Sequence, residues 1–378
     1  MPAEYRAEQV GSFLRPPEVL EAHEGFARGD VAIEKLREIE DKAILALLNL
    51  EREVGIDVLS DGEYRRGGWA SGFPDAVDGY VQGAAPIQLT WHRDTEGGAA
   101  VAQPPPTINT LGMVIGEKIR RRRRMTEHEA GFLQANAGGT PFKVTIPAPS
   151  YIVARGYKPG ITEKAYPSRA AVLKDVTAIV NDEVKALVTE GVPYIQLDNP
   201  HYPDYIPEDR RAQWRSIGID PDVAIREDIA ADNAALSGFD RGGVTLAMHL
   251  CRGNGGAAGW HTEGSYERIA EQVFGHIEVD RFLLEYDSAR AGGFEPLRFV
   301  APGKTVVLGL VTTKSGRLES QDTLRQRIDE AAKQIDIEHL ALSPQCGFAS
   351  VMAGNPLSWD EQRRKLELVV ATARKVWS

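Results

Sequence analysis

The sequence predicts an α/β fold, a single (β/α)8 TIM barrel over residues 1–378, with residues 64–140 an inserted excursion or lid between its second and third strands. Three observations predict it. Short β-branched runs alternate with long amphipathic stretches, the pattern of βα units around a parallel sheet. Eight such runs can be placed along 378 residues, a length that α/β barrels reach as one domain. The rival, a doubly wound open sheet, wants a glycine-rich phosphate loop after its first strand, and Gly11-Ser12-Phe13-Leu14 is not one.

The elements follow in order. Glu8 to Phe13 reads as a first strand, and Val31 to Val54 as a helix, with Leu36, Ile39, Ile44, Leu47 and Leu48 at helical spacing. Ile56 to Ser60 is the second strand, ending in Asp61-Gly62-Glu63. The excursion comes next, rich in glycine and proline (Gly97-Gly98, Pro104-Pro105-Pro106), and so long a loop argues either for an inserted subdomain or against these strand boundaries. Phe142 to Pro147 is the third strand, Ala170 to Thr189 a helix, and Pro193 to Leu197 the fourth strand. Asp220-Pro221 opens a helix to Leu236 as cap and first-turn proline. Gly243 to Met248, Arg281 to Leu284, Thr305 to Val311 and Leu340 to Ser343 are the fifth to eighth strands. Helices at Tyr266 to Phe274, Ser320 to Ile335 and Trp359 to Trp377 complete the pattern.

Composition narrows the function. With 42% hydrophobic and 26% charged residues the chain is an ordinary globular one, and two cysteines exclude a disulfide scaffold. A net charge of −10 makes a poor nucleic-acid binder. No apolar run approaches the roughly 20 residues of a membrane span. The polar start, Met1 to Arg6, lacks a signal-peptide core, so a cytoplasmic protein is expected.

In a barrel, function sits at the C-terminal ends of the strands. Read in order, those ends supply Ser12, Glu63, Ser150, Asp198, His249 with Cys251, Glu285, Lys314 and Cys346. His249 and Cys251 are two apart on an extended chain, so imidazole and thiolate point to one side. Cys346, across the same mouth, and Glu285 between them complete a tetrahedral shell. Thiolates and imidazole select zinc over magnesium or calcium. Glu63 and Asp198 are two carboxylates able to grip a cationic group such as an amino acid's amine, and Gly11-Ser12 offers backbone N–H groups to a carboxylate. The blander readings are buried inert cysteines, turn carboxylates, and, for the run Arg120 to Arg124, a solvated helix face rather than a dock for an anionic tail. His201, His261 and His276 compete as ligands but lack a partner like Cys251. Trp69, Trp91 and Trp260 are packing aromatics or a stacking surface for a flat substrate.

At these residues the sequence resembles the catalytic C-terminal barrel of cobalamin-independent methionine synthase. The marks are Val10-Gly11-Ser12, Asp61-Gly62-Glu63, Ile195-Gln196-Leu197-Asp198, His249-Leu250-Cys251, Glu285 and Pro344-Gln345-Cys346-Gly347. The resemblance covers nearly the whole chain and implies a short, single-barrel branch without the family's N-terminal half. It implies zinc held by His249, Cys251, Glu285 and Cys346. Homocysteine would join that metal as a thiolate, with its amine on Glu63 and Asp198 and its carboxylate near Gly11-Ser12. Two family features differ. The histidine that protonates the leaving nitrogen aligns with Lys314, an acid or anion clamp, and the acidic pair after the fourth strand is Asp198-Asn199. The pterin-stacking tryptophan falls near Arg155, with Tyr151 or Tyr157 as substitutes.

The function expected is zinc-dependent methyl transfer to homocysteine, giving methionine, from a methylfolate or from a methyl-corrinoid on a partner protein. Lys314, Glu63 and Asp198 would be the catalytic residues. One alternative is a zinc-dependent thiol transferase or lyase that opens an epoxide with coenzyme M, whose sulfonate needs cations where this chain has carboxylates. Another is a non-catalytic barrel with structural zinc.

Overall fold

The structure, a computed structural model, describes residues 5–95, 100–104 and 112–377. Four strands lie in the excursion: β1 (Val77–Gln82), β2 (Trp91–Asp94), β3 (Ala100–Gln103) and β4 (Met113–Arg121). They form two antiparallel pairs, β1 with β4 and β2 with β3. Six more are β5 (Lys143–Pro147), β6 (Tyr194–Asp198), β7 (Thr245–Leu250), β8 (Arg281–Glu285), β9 (Thr305–Val311) and β10 (Leu340–Pro344). These make one parallel sheet in the order β10-β9-β8-β7-β6-β5. Every residue of β5, β6, β7, β8 and β10 is buried, as in a parallel sheet covered on both faces.

The eight predicted strands are therefore six. The run at Ile56–Ser60 keeps a single parallel bridge, Leu59 to Phe142, and that at Glu8–Phe13 has one just before its start, Ala7 to Leu342. Side chains take the backbone donors that a ladder would use. Asp57 Oδ2 accepts from the N–H groups of Arg6 (2.6 Å) and Ala7 (2.8 Å), and the Ser60 N–H is bound by the Glu51 carboxylate. The two runs still meet, with Asp57 N–H donating to Ala7 C=O at 3.0 Å.

The helices keep the predicted sites with small shifts at the ends: Ile33–Val54, Arg169–Thr189, Pro221–Ala235, Glu267–His276, Gln321–Ala331 and Trp359–Val376. Asp220 caps Pro221–Ala235 by accepting from Asp222 N–H, with proline in the first turn as its sequence predicts. Among the described residues five helices escape the periodicity reading, Pro17–Arg28, Gly72–Ala76, Ala130–Asn136, Pro149–Gly156 and Glu208–Ser216.

Two cores result. The larger lies between sheet and helices. A smaller apolar cluster, Tyr5, Val10, Val58, Tyr194, Ala247, Leu283, Val307 and Ala341, joins both bridging runs to the inner face of the sheet. Beside it a buried polar knot has Glu8 accepting from Lys143 (3.3 Å), Tyr194 (2.9 Å) and Arg281 (2.8 Å).

The arginine run is not a helix face. It begins on β4, and four of its five members make ion pairs: Arg121 with Asp182, Arg122 with Asp78, Arg123 with Glu127, and Arg124 with Glu183 and Glu190. Of the N-terminal stretch and the Gly/Pro-rich excursion, residues 1–4, Gly97, Gly98, Pro105 and Pro106 lie outside the described residues. Among the described residues no helix is long and apolar enough to cross a membrane.

Candidate active site

The sheet register sets neighbours at the C-terminal edge, pairing Pro147 with Asp198 and Asp198 with His249. Cys251 follows β7 directly, and Cys346 lies two residues past β10. Their ligand atoms, with that of His249, all lie within 4.8 Å of one another. All three residues are at least 95% buried. His249 Nδ1 lies 3.1 Å from the Leu283 carbonyl, which fixes the proton on Nδ1. Its Nε2 has no hydrogen-bond partner although it is buried. An imidazole anchored at one nitrogen and bare at the other is the usual arrangement of a metal ligand. The hydrogen bond from Cys251 holds Cys346 well below the usual thiol range, and the same bond holds Cys251 well above it. Two sulfurs and one imidazole nitrogen therefore fit a soft-donor ion such as zinc.

Glu285 is not among those three donors. Its Oε2 accepts from the Arg252 backbone N–H at 2.6 Å and its Oε1 from Arg290 at 3.1 Å. Burial pushes this carboxyl up, but Arg290 and its neighbours outweigh that and hold it below the usual range.

The cluster opens on a cavity of about 360 Å³, also lined by Ser12, Glu63 and Asp198. Glu63 has a left-handed backbone, φ 59°, fixed by its N–H donating to Asp61 Oδ1 at 2.9 Å. Such a conformation costs a non-glycine residue about 1–3 kcal/mol, and here it aims a carboxylate into the cavity. Thr145 Oγ1 donates to Glu63 Oε1 at 2.7 Å, while Oε2 is buried without a partner. Burial raises the Glu63 pKa. Asp198 is held by Gln196 Nε2 at 2.7 Å, and burial lifts its pKa to about 7 against the pull of His249. Two buried carboxylates, one with a bare oxygen, offer an ammonium group its missing partners.

Gly11 is needed where it stands. A Cβ there would lie 2.9 Å from both Glu63 Oε1 and Thr145 Cγ2. Gly11 does not itself line the cavity; Val10 and Ser12, on either side, do. Ser12 is clasped by the last loop, its carbonyl accepting from Phe348 N–H at 2.8 Å.

Lys314 does not line the cavity either. Its Nζ donates to the carbonyls of Gly253 (2.9 Å) and Gly259 (3.3 Å) and to Asn254 Oδ1 (3.3 Å), which ties down the loop after Cys251. Ser150 turns away from the mouth, its N–H and Oγ both donating to Asp232. His276 sits at an exposed helix end, and Trp260 donates to Asp94. His201 is fully buried among Asp204, Tyr205 and Asp228.

Part of the site escaped the sequence reading. Thr145, which donates to Glu63, carries no motif, and Gln196, which holds Asp198 from two residues before it on the same strand face, stood in the run Ile195-Gln196-Leu197-Asp198 with no role given to it. Tyr80, also unread, lines the cavity with Tyr151, Arg155, His261, Trp69 and Trp91, which the sequence did offer. Behind them Asp204 receives Arg155 (2.7 Å) and Thr262 (3.1 Å) and faces both His201 and His261.

Fold and site together define an α/β protein with a buried His/Cys/Cys centre at the strand ends, opening on a cavity that holds two carboxylates. The chain belongs to the cobalamin-independent synthase, catalytic domain family, whose model matches residues 6–375. That family points to a methyltransferase of the methionine synthase type. The chain is 34% identical over 376 residues to uncharacterized protein YxjG of Bacillus subtilis, covering 99% of this chain and 95% of that one. It is 23% identical to a methionine synthase of Pyrococcus abyssi, over 90% of this chain and 85% of that one. Among solved structures it resembles a putative vitamin-B12 independent methionine synthase from Listeria monocytogenes. The TM-score is 0.75 at 26% identity, covering 100% of this chain and 99% of that one. A B12-independent methionine synthase from Shewanella sp. W3-18-1, in complex with selenomethionine, shares the fold with TM-score 0.71 at 22% identity, covering 99% and 98%.

Proposed function

We propose that this protein is a zinc-dependent thiol methyltransferase that makes methionine from homocysteine. The observation that carries the reading is the three-donor cluster with a bare His249 Nε2, in one cavity with Glu63 and Asp198. His249, Cys251 and Cys346 would hold the metal, with Glu285 beside them as the fourth candidate. Zinc there would supply a Lewis acid that favours thiolate over thiol near neutral pH.

The chain's own residues do the rest. Glu63 and Asp198 take the substrate's ammonium group, and the backbone at Gly11-Ser12 takes its carboxylate. The thiolate sulfur, so oriented, attacks a methyl group on a donor in the same cavity. The resemblance names methylfolate or a methyl-corrinoid carried by a partner as that donor. Lys314 acts as a positioning residue for the loop after Cys251. The bridging runs at Ala7 and Leu59 close the six-stranded sheet into the eightfold barrel, and the described residues of the 64–140 excursion form the lid of this single domain.

Three protein donors suit a catalytic zinc, which keeps a position open, better than a closed structural site. Glu63 and Asp198 favour an amine-bearing thiol over a sulfonate such as coenzyme M. Cys251→Ala tests the reading. Loss of both bound metal and thiol alkylation is expected, and retention of both would overturn it.

A further inference from the structure

We propose that Asp94 is a positioning residue, which through Arg290 sets how Glu285 is presented to the metal centre. This deepens the reading of His249, Cys251 and Cys346 as metal ligands and rests on it. Three observations carry it.

The first is where the excursion docks. Asp94 ends β2, and β2 lies against the loop that follows β7. His92 and Trp260 exchange two backbone hydrogen bonds of 2.8 Å, and their rings stack at 4.8 Å. The fit is close, since a Cβ at Gly259 would lie 3.1 Å from Trp91 Cε3. The backbone bridge thus places Asp94 two residues on from a fixed point.

The second is the chain of charges behind it. Asp94 Oδ1 accepts from Trp260 Nε1 at 2.9 Å, and its Oδ2 accepts from Arg290 Nη1 at 2.8 Å. The Arg290 guanidinium stands 5.0 Å over the Trp260 ring, and its side chain is only 6% exposed. Its Nη2 donates to Glu285 Oε1 at 3.1 Å and to Asp287 Oδ1 at 3.4 Å. One guanidinium therefore joins a carboxylate of the excursion to the carboxylate whose charge is felt at Cys251. Its N–H groups form a rigid planar fork, so a partner on one side fixes what the other side faces.

The third is what Asp94 leaves alone. None of Asp94, Arg290 and Glu285 lines the cavity, so Asp94 acts through Arg290 rather than on a substrate. The Asp94 side chain is 42% exposed, and water and salt screen its own field. The Arg290–Glu285 pair is buried and is screened much less. While Arg290 answers three carboxylates, its hold on Glu285 is shared. Without the charge of Asp94, Arg290 turns wholly to Glu285 and Asp287. Glu285 is then gripped more tightly and serves less well as the fourth donor.

The test uses the full chain and needs no methyl donor. Chelator competition gives the zinc affinity of wild type, Asp94→Asn, Glu285→Gln and the double variant. Asp94→Asn is expected to weaken zinc binding about three- to tenfold, less than the roughly 10–100-fold that follows loss of a ligand's direct partner. In the Glu285→Gln background the same substitution is expected to change affinity by less than about twofold, because the group it acts through is gone. The ligand-field bands of the cobalt-substituted protein should shift in Asp94→Asn and show no further shift on adding it to Glu285→Gln. Zinc affinity of Asp94→Asn within about twofold of wild type would overturn the proposal. An equal loss with and without the Glu285 carboxylate would overturn it too, since a role in docking the excursion alone would give that result. Homocysteine titration of the cobalt-substituted wild type keeps the failures apart. If the sulfur-to-metal band forms, only the role of Asp94 is wrong; if no metal binds, or the band is absent, the reading of the site falls as well.

Discussion

Placing a methyl group at Gly11 should injure the substrate site more than the fold. The new Cβ would sit 2.9 Å from Glu63 Oε1 and from Thr145 Cγ2, closer than side chains tolerate, at a φ of +154°. If Glu63 moves, the 2.7 Å bond from Thr145 breaks. A hydrogen bond to a charged group contributes about 1.5–3 kcal/mol. Crowding a packed interior adds about 1–3 kcal/mol. Gly11→Ala should therefore cost about 2.5–6 kcal/mol, divided between stability and homocysteine binding. A share of about 1.4 kcal/mol in binding is a tenfold loss of affinity. Gly29→Ala is the control, because Gly29 also has a left-handed φ of +81° but nothing lies within 4 Å of its Cβ position. It should cost roughly 1–2 kcal/mol of stability and leave binding alone. Urea denaturation reads the first quantity, and homocysteine titration of the cobalt-substituted protein reads the second. Homocysteine affinity in Gly11→Ala within twofold of wild type would refute the placement of Glu63 in the substrate site.

Three further outcomes are expected. Cys251→Ala should lose nearly all bound metal, whereas Glu285→Gln should keep it with affinity reduced by about 10–100-fold, because Glu285 lies outside the three-donor cluster; chelator competition measures both, and equal losses would make Glu285 a full ligand. Burial raises the Glu51 pKa well above its ordinary value of 4.5, so the folded chain gives up this proton at higher pH than the unfolded chain does, and stability falls as pH rises past 4.5 toward the folded value. Glu51→Gln should then raise the urea midpoint at pH 8 and converge with wild type near pH 4, and the reverse order would contradict the assignment. Asp204→Asn strips the partner from Arg155 and from the histidines His201 and His261, and should cost about 3–5 kcal/mol at pH 7 in thermal or urea unfolding. Arg155 and its neighbours hold the Asp204 carboxyl well below the usual range despite its burial, so that loss should shrink as pH falls below the ordinary value of 3.8.

The later strands were legible because they are apolar β-branched runs buried on both faces, and β9 fell on its predicted residues, Thr305–Val311. The first two were not strands, because periodicity does not reveal Asp57 and Glu51 taking backbone donors from the neighbouring chain. The helix Pro17–Arg28 was missed although Pro17 marks its first turn; its apolar face buries Val19, Ala22 and Gly25, too few large residues to announce a period. At the site, the His-x-Cys spacing and strand-end placement brought His249, Cys251 and Cys346 together on paper as in the fold. Lys314 could not be read the same way. Its position after β9 is a strand end, but its long side chain turns to the carbonyls of a neighbouring loop, a choice set by tertiary contacts. The polar second layer, Thr145, Gln196 and Asp204, is written in residues that look ordinary in one dimension and acquire meaning only through what they face.

The central claim is that His249, Cys251 and Cys346 hold a metal at which a substrate thiol becomes a nucleophile. Metal analysis of the purified protein, followed by cobalt replacement and homocysteine titration, tests it most directly. One zinc per chain is expected, with a sulfur-to-cobalt absorption band that grows to saturation as homocysteine is added. Protein that binds no zinc or cobalt, or a cobalt spectrum that homocysteine leaves unchanged, would contradict it.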